Sequence, residues 1–133
     1  MNELMEWLAN YAFNHNIGYI FTHQLEADTP SSSDGQQRLV IINMEWKHKS
    51  EIPFSFAHEI GHILNGDKGI NKFSAKTIGL KKEYRANLTG IDILLKYCDR
   101  YDLNFDSPVQ FCERFGVPLQ LDYLVNLRSD FND

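Results

Sequence analysis

The chain has 133 residues, 43% hydrophobic and 23% charged, with a formal net charge of −5. That is the make-up of an ordinary globular domain, and a single domain over residues 1–133 is expected. The acidic balance argues against nucleic acid as a direct partner, since that calls for a basic face. No apolar run approaches the roughly 20 residues that span a bilayer. The start, MNELMEWLANY, is acidic and amphipathic, unlike a signal peptide. Cys98 and Cys112 read as reduced, buried thiols, so a cytoplasmic location is expected.

Residues 3–14 carry Leu4, Leu8, Tyr11 and Ala12 at helical spacing, which predicts a first helix ended by Asn16 and Gly18. IGYIFTH, residues 17–23, reads as a short strand. Residues 26–37, EADTPSSSDGQQ, are rich in turn formers and read as an exposed loop. RLVIIN, residues 38–43, reads as a second strand. A helix should then begin with Ser50 as N-cap, tolerate Pro53 in its first turn and stop at Asn65-Gly66. Residues 66–77 read as a polar connector. A long helix follows over about 78–98 despite Gly79 and Gly90, each costing roughly 1 kcal/mol. Ser107-Pro108-Val109-Gln110 is a helix-start signal, and that helix ends at Gly116. A last helix covers about 118–129.

The chemistry lies in FSFAHEIGHIL, residues 54–64. On a helix, residues i and i+4 share a face, so His58 and His62 can offer two imidazole nitrogens to one ion. Glu59 sits on the rim of that face, where it can act as a base toward a water activated by the ion. This is the mechanical content of H-E-x-x-H. With five histidines in the chain, a chance triplet is expected about once in a hundred such sequences. The flanking residues Phe56, Ala57, Ile60, Gly61, Ile63 and Leu64 are uncharged, as a buried active helix requires.

A third protein ligand is expected. The extension H-E-x-x-H-x-x-G-x-x-H fails, because Asn65 stands in place of its Gly and Lys68 in place of its last His. The candidates are Glu83, Asp67, His48 and Glu113. Glu83 is favoured, because its helix can fold back antiparallel on the first across a short connector. Asn87, one turn on, can hydrogen-bond the outer nitrogen of a ligand histidine. Tyr84 and Tyr97 are candidates for stabilising an oxyanion.

RLVIIN, IPFSFAHEIGHIL, KEYRAN and IDILL together resemble the ImmA/IrrE-type metallopeptidases, over about residues 4–127. The resemblance implies an α+β, zincin-like fold: a small sheet backed by helices, with the H-E-x-x-H helix beneath the cleft. It implies one Zn²⁺ held by His58, His62 and Glu83, with Glu59 as catalytic base. It also implies regulatory proteolysis of a protein substrate such as a helix-turn-helix repressor, in a phage or mobile-element setting. Two departures stand out: Thr89-Gly90 where the family has Phe-Ala, and Lys96 where it has Pro.

Two other readings compete. One is a zinc-binding regulatory or interaction module with little turnover; the intact Glu59 argues against it, since a structural site has no use for a base. The other is a DNA-binding regulator, from the helix–Gly–helix cadence of residues 107–127. From residue 107 onward, however, Arg114 and Arg128 face Glu113, Asp122, Asp130 and Asp133, too acidic for phosphate contacts.

Overall fold

The computed structural model describes residues 2–72 and 80–129. Helix α1 spans Glu3–Asn14. The Asn2 side chain accepts a hydrogen bond from the Met5 amide at 2.8 Å, and Glu3 and Glu6 sit at the positive end of the dipole. Leu4, Met5, Leu8, Ala9 and Ala12 form its buried stripe. Asn16 turns the chain with a φ of 60°, and the Ile17 amide donates back to the Ala12 carbonyl.

Four strands make one sheet in the order β1-β3-β2-β4: β1 (Gly18–Thr22), β2 (Ser32–Asp34), β3 (Leu39–Asn43) and β4 (Ile70–Lys72). β1 runs parallel to β3, while β2 is antiparallel to both β3 and β4. The expectation of an unbroken exposed loop over residues 26–37 is therefore corrected. Its Ser-Ser-Asp segment is an interior strand, and Ser33 is buried between Val40 and Asn71. Pairing on both edges overrides the poor strand preference of these residues. The polar connector likewise contains β4.

Asn43 fixes the path of the loop that crosses from β1 to β2. Its side-chain amide donates to the Glu26 and Thr29 carbonyls at 2.8 and 2.7 Å. Its backbone N–H donates to the Ser31 hydroxyl, and its Oδ1 accepts from the Glu45 amide, both at 2.9 Å. The Glu26 and Thr29 carbonyls thus find a donor within the protein.

Helix α2 spans Ile52–Leu64 and follows a single 3-10 turn at Lys49–Glu51. Ser50 lies inside that turn and does not cap the helix, contrary to expectation. Its carbonyl instead packs on Gly116, where a Cβ would come within 1.7 Å. Gly116 has a φ of 75°, so glycine is required there on two counts. α2 ends at Asn65-Gly66 as expected, with Gly66 in the left-handed region.

Helix α3 spans Lys81–Tyr101. Gly79 and the expected start at residue 78 lie outside the described residues. α2 and α3 pack face to face at very close range. A Cβ on Gly90 would lie 3.1 Å from the His58 amide nitrogen, and one on Gly61 would lie 2.9 Å from the Ala86 carbonyl oxygen. Gly90, read from sequence as a cost to the helix, is what lets α3 approach the motif-bearing turn of α2.

Helix α4 spans Pro108–Phe115 and α5 spans Asp122–Arg128. Ser107 caps α4 by accepting from the Gln110 amide at 3.2 Å. The Gln110 side chain accepts from the Asp106 amide, one residue earlier than a capping box would have it. Phe111 and Phe115 stack edge to face with Phe105, and Cys112, Leu124 and Val125 complete the buried layer under α3. α5 exposes Tyr123 and Leu127, and Leu119 is exposed in the 3-10 turn just before it.

Candidate metal centre

α2 carries His58 and His62 one turn apart on its buried face, and α3 brings Glu83 against them from its first turn. One ligand atom from each residue lies within 4.8 Å of the others. Glu83 Oε1 is 3.1 Å from His58 Nε2 and 3.2 Å from His62 Nε2, and Oε2 is 3.0 Å from His62 Nε2. All three side chains are buried. Of the candidates for a third ligand, the structure brings Glu83 to the histidines.

The outer nitrogens of the two histidines are held by different groups. His58 Nδ1 is 2.8 Å from the Asn87 side-chain oxygen, as the helical spacing predicts. His62 Nδ1 is 2.8 Å from Asp67 Oδ2. Asp67, considered from sequence as a ligand, thus faces away from the cluster and holds the His62 ring from behind. The clue was present in its position, just beyond the Gly66 stop, where the Asp67 amide also donates to the His62 carbonyl. Asn71 on β4 steadies this corner: its side-chain oxygen accepts from Lys82 at 2.9 Å and so joins the sheet edge to the first turn of α3.

These partners leave the inner nitrogens for the cluster. Both outer partners present an oxygen acceptor, so each Nδ1 donates and each Nε2 is the nitrogen a metal would take when unprotonated. Both Nε2 atoms converge on the Glu83 carboxylate, a site that protons on the rings or a cation between them would satisfy. The hydrogen-bond record agrees. Among the described residues, the buried side-chain polar atoms with no hydrogen bond are Ser33 Oγ, Glu59 Oε1 and Glu83 Oε2, and all three belong to this site. The residues fit a metal ion with two imidazoles and one carboxylate.

The carboxyl groups are pushed in opposite directions. Burial alone would raise the Glu83 carboxyl, but hydrogen bonds and charge from His58 and His62 prevail and hold it down to about 2. Glu59 is raised to about 8 by burial, opposed in part by the charge of His58 and by the Ser33 hydroxyl, which approaches it without reaching full hydrogen-bond geometry. Its Oε2 is 3.9 Å from His58 Nε2. Ser33, which nothing in the sequence singles out, meets Glu59 from β2 on the inner face of the sheet.

The remaining candidates lie elsewhere. His48 precedes the 3-10 turn and packs edge-on to Trp46. Glu113 shares a cavity with Asn2, Glu3 and Pro53 at the N-terminal end of α2. Tyr97 packs on Trp7 and Phe115 in the core, away from the cluster. Tyr84 follows Glu83 but is exposed.

A small mixed sheet over an H-E-x-x-H helix, completed by a buried glutamate from the next helix, defines a zincin-like α+β domain of the metallopeptidase type. The family model for the IrrE N-terminal-like domain, Peptidase_M78, matches residues 14–123, and the chain belongs to that family. No curated protein and no solved structure matches the chain. Among the described residues, no helix is long and apolar enough to cross a membrane.

Proposed function

We propose that the chain is a zinc-dependent endopeptidase whose substrate is a protein partner, with a helix-turn-helix repressor as the leading class. The observation that carries this reading is the convergence of His58 and His62 Nε2 on Glu83 beside a buried Glu59. His58, His62 and Glu83 would hold the ion, and Asn87 and Asp67 would fix the two rings. Zinc is the ion that this ligand set and the family favour; when bound, it supplies a Lewis acid that polarises a carbonyl and acidifies water.

The chain's own part is proton handling. Glu59 has one carboxylate oxygen near the His58 ring and the other unpartnered. It accepts a proton from the attacking water and passes it to the departing amine. A repressor is the favoured substrate because the family resemblance points to regulatory proteolysis.

The test uses the zinc-loaded full chain and a helix-turn-helix repressor encoded beside it. Glu59→Gln should keep stoichiometric zinc and lose cleavage by at least about a hundredfold. Cleavage unchanged in Glu59→Gln would overturn the enzyme reading. A zinc-bound wild type that binds the repressor without cutting it would instead favour the low-turnover module.

A further inference from the structure

β1 is an edge strand whose outer side has no strand partner among the described residues. The Gly18 amide donates to the Arg38 carbonyl and the Met44 amide to the Thr22 carbonyl, both at 2.8 Å. In a parallel ladder alternate residues bond to the same neighbour, so Gly18, Ile20 and Thr22 serve β3. Tyr19 and Phe21 therefore turn their N–H and C=O groups toward the opposite edge, where no strand lies among the described residues. The strand, GYIFT, has no charge and no proline, the usual guards of an open edge. Tyr19 and Ile20 are 38% and 47% exposed.

We propose that two copies of this chain associate by antiparallel pairing of β1 with β1 about a two-fold axis at Ile20. In that register Tyr19 of one copy faces Phe21 of the other, and both residues carry outward-facing main-chain groups. They form a hydrogen-bonded pair on each side of the axis. Ile20 meets its own copy in the intervening pair, with both side chains on the sheet face away from α2, where cross-strand apolar contacts form. Tyr19 and Phe21 lie on the α2 side, already against Phe56, and meet ring to ring across the seam.

The ends of the strand are complementary in charge. Arg38 binds the His15 and Asn16 carbonyls just before β1 begins. Glu45 pairs with His23 just after β1 ends and is held in its charged form by that hydrogen bond. Antiparallel pairing sets the arginine of one copy beside the glutamate of the other. The two four-stranded sheets become continuous through β1. The metal centre lies toward β2 and β4, where Ser33 meets Glu59, so both clefts stay open.

Sedimentation equilibrium of the full chain, from about 10 to about 500 µM, tests this. The mass should rise from 15.5 kDa toward twice that value. Ile20→Lys and Ile20→Glu each place like charges across the axis and should raise the dissociation constant at least about tenfold. The side chain is half exposed, so circular dichroism and metal content should match wild type. An equimolar mixture of the two variants should recover association, because position 20 faces only itself. A one-chain mass at every concentration overturns the proposal, as does a dimer indifferent to both variants or a mixture that stays monomeric.

Discussion

Asp67 Oδ2 stands 2.8 Å from Nδ1 of His62, on the side of the ring opposite the metal cluster. The contact leaves His62 held by an anion and His58 by the neutral amide of Asn87. A carboxylate partner makes the imidazole a stronger donor and fixes which nitrogen faces the ion.

Asp67→Ala should therefore weaken metal binding by about 10–100-fold, and Asp67→Asn, which retains an acceptor oxygen, by less. Competition with a chromophoric chelator measures both. Equal affinities for wild type and Asp67→Ala would reduce Asp67 to a turn residue.

Glu83→Gln replaces the carboxylate with a neutral amide of the same shape. Metal content of the purified variant should fall well below one equivalent, while His58 and His62 alone retain weak affinity. Elemental analysis after dialysis decides it; full retention would remove Glu83 from the ligand set.

Gly61→Ala probes the helix crossing. The new methyl would sit 2.9 Å from the Ala86 carbonyl oxygen, a backbone atom that cannot rotate aside. We expect a loss of about 1–3 kcal/mol in urea unfolding, together with weaker metal binding as α3 is pushed from α2. An unchanged unfolding midpoint would show that the helices separate freely.

Cys98 and Cys112 are buried and unpaired, and burial pushes each thiol up to about 11. The reactive thiolate should thus be scarce below about pH 11 in the folded chain, whereas unfolding restores ordinary values near 9. Iodoacetamide at pH 8 should label the native protein far more slowly than the urea-unfolded protein, read by mass spectrometry. Equal rates would mean that α3 and α4 open readily.

The periodic parts of the chain were legible in its sequence. α1, β1, β3, α4 and the end of α2 fall where apolar spacing, the Ser107 cap and the Gly66 and Gly116 stops put them. The grouping of His58, Glu59 and His62 on one helix was legible from their spacing, and the approach of Glu83 and Asn87 followed from one helix folding back on another. β2 was hidden because Ser32, Ser33 and Asp34 favour turns, and only pairing with β3 and β4 makes them a strand. Ser50 misled for a related reason: its local preference for an N-cap yields to the 3-10 turn that seats its carbonyl on Gly116. Asp67 was visible as a carboxylate near the motif, but which way it faced depended on the tight turn after α2.

The hidden strand makes the length of the loop before it matter to chemistry. Side chains alternate across a sheet, so a one-residue slip exchanges the two faces of β2. Shortening the segment between Asp28 and Ser31 by one residue, with the Asn43 clamp holding its start, would turn Asp34 toward Glu59 in place of the Ser33 hydroxyl. A second carboxyl would then crowd that of Glu59. A stretch that looks expendable by composition thus sets which side chain of β2 meets α2.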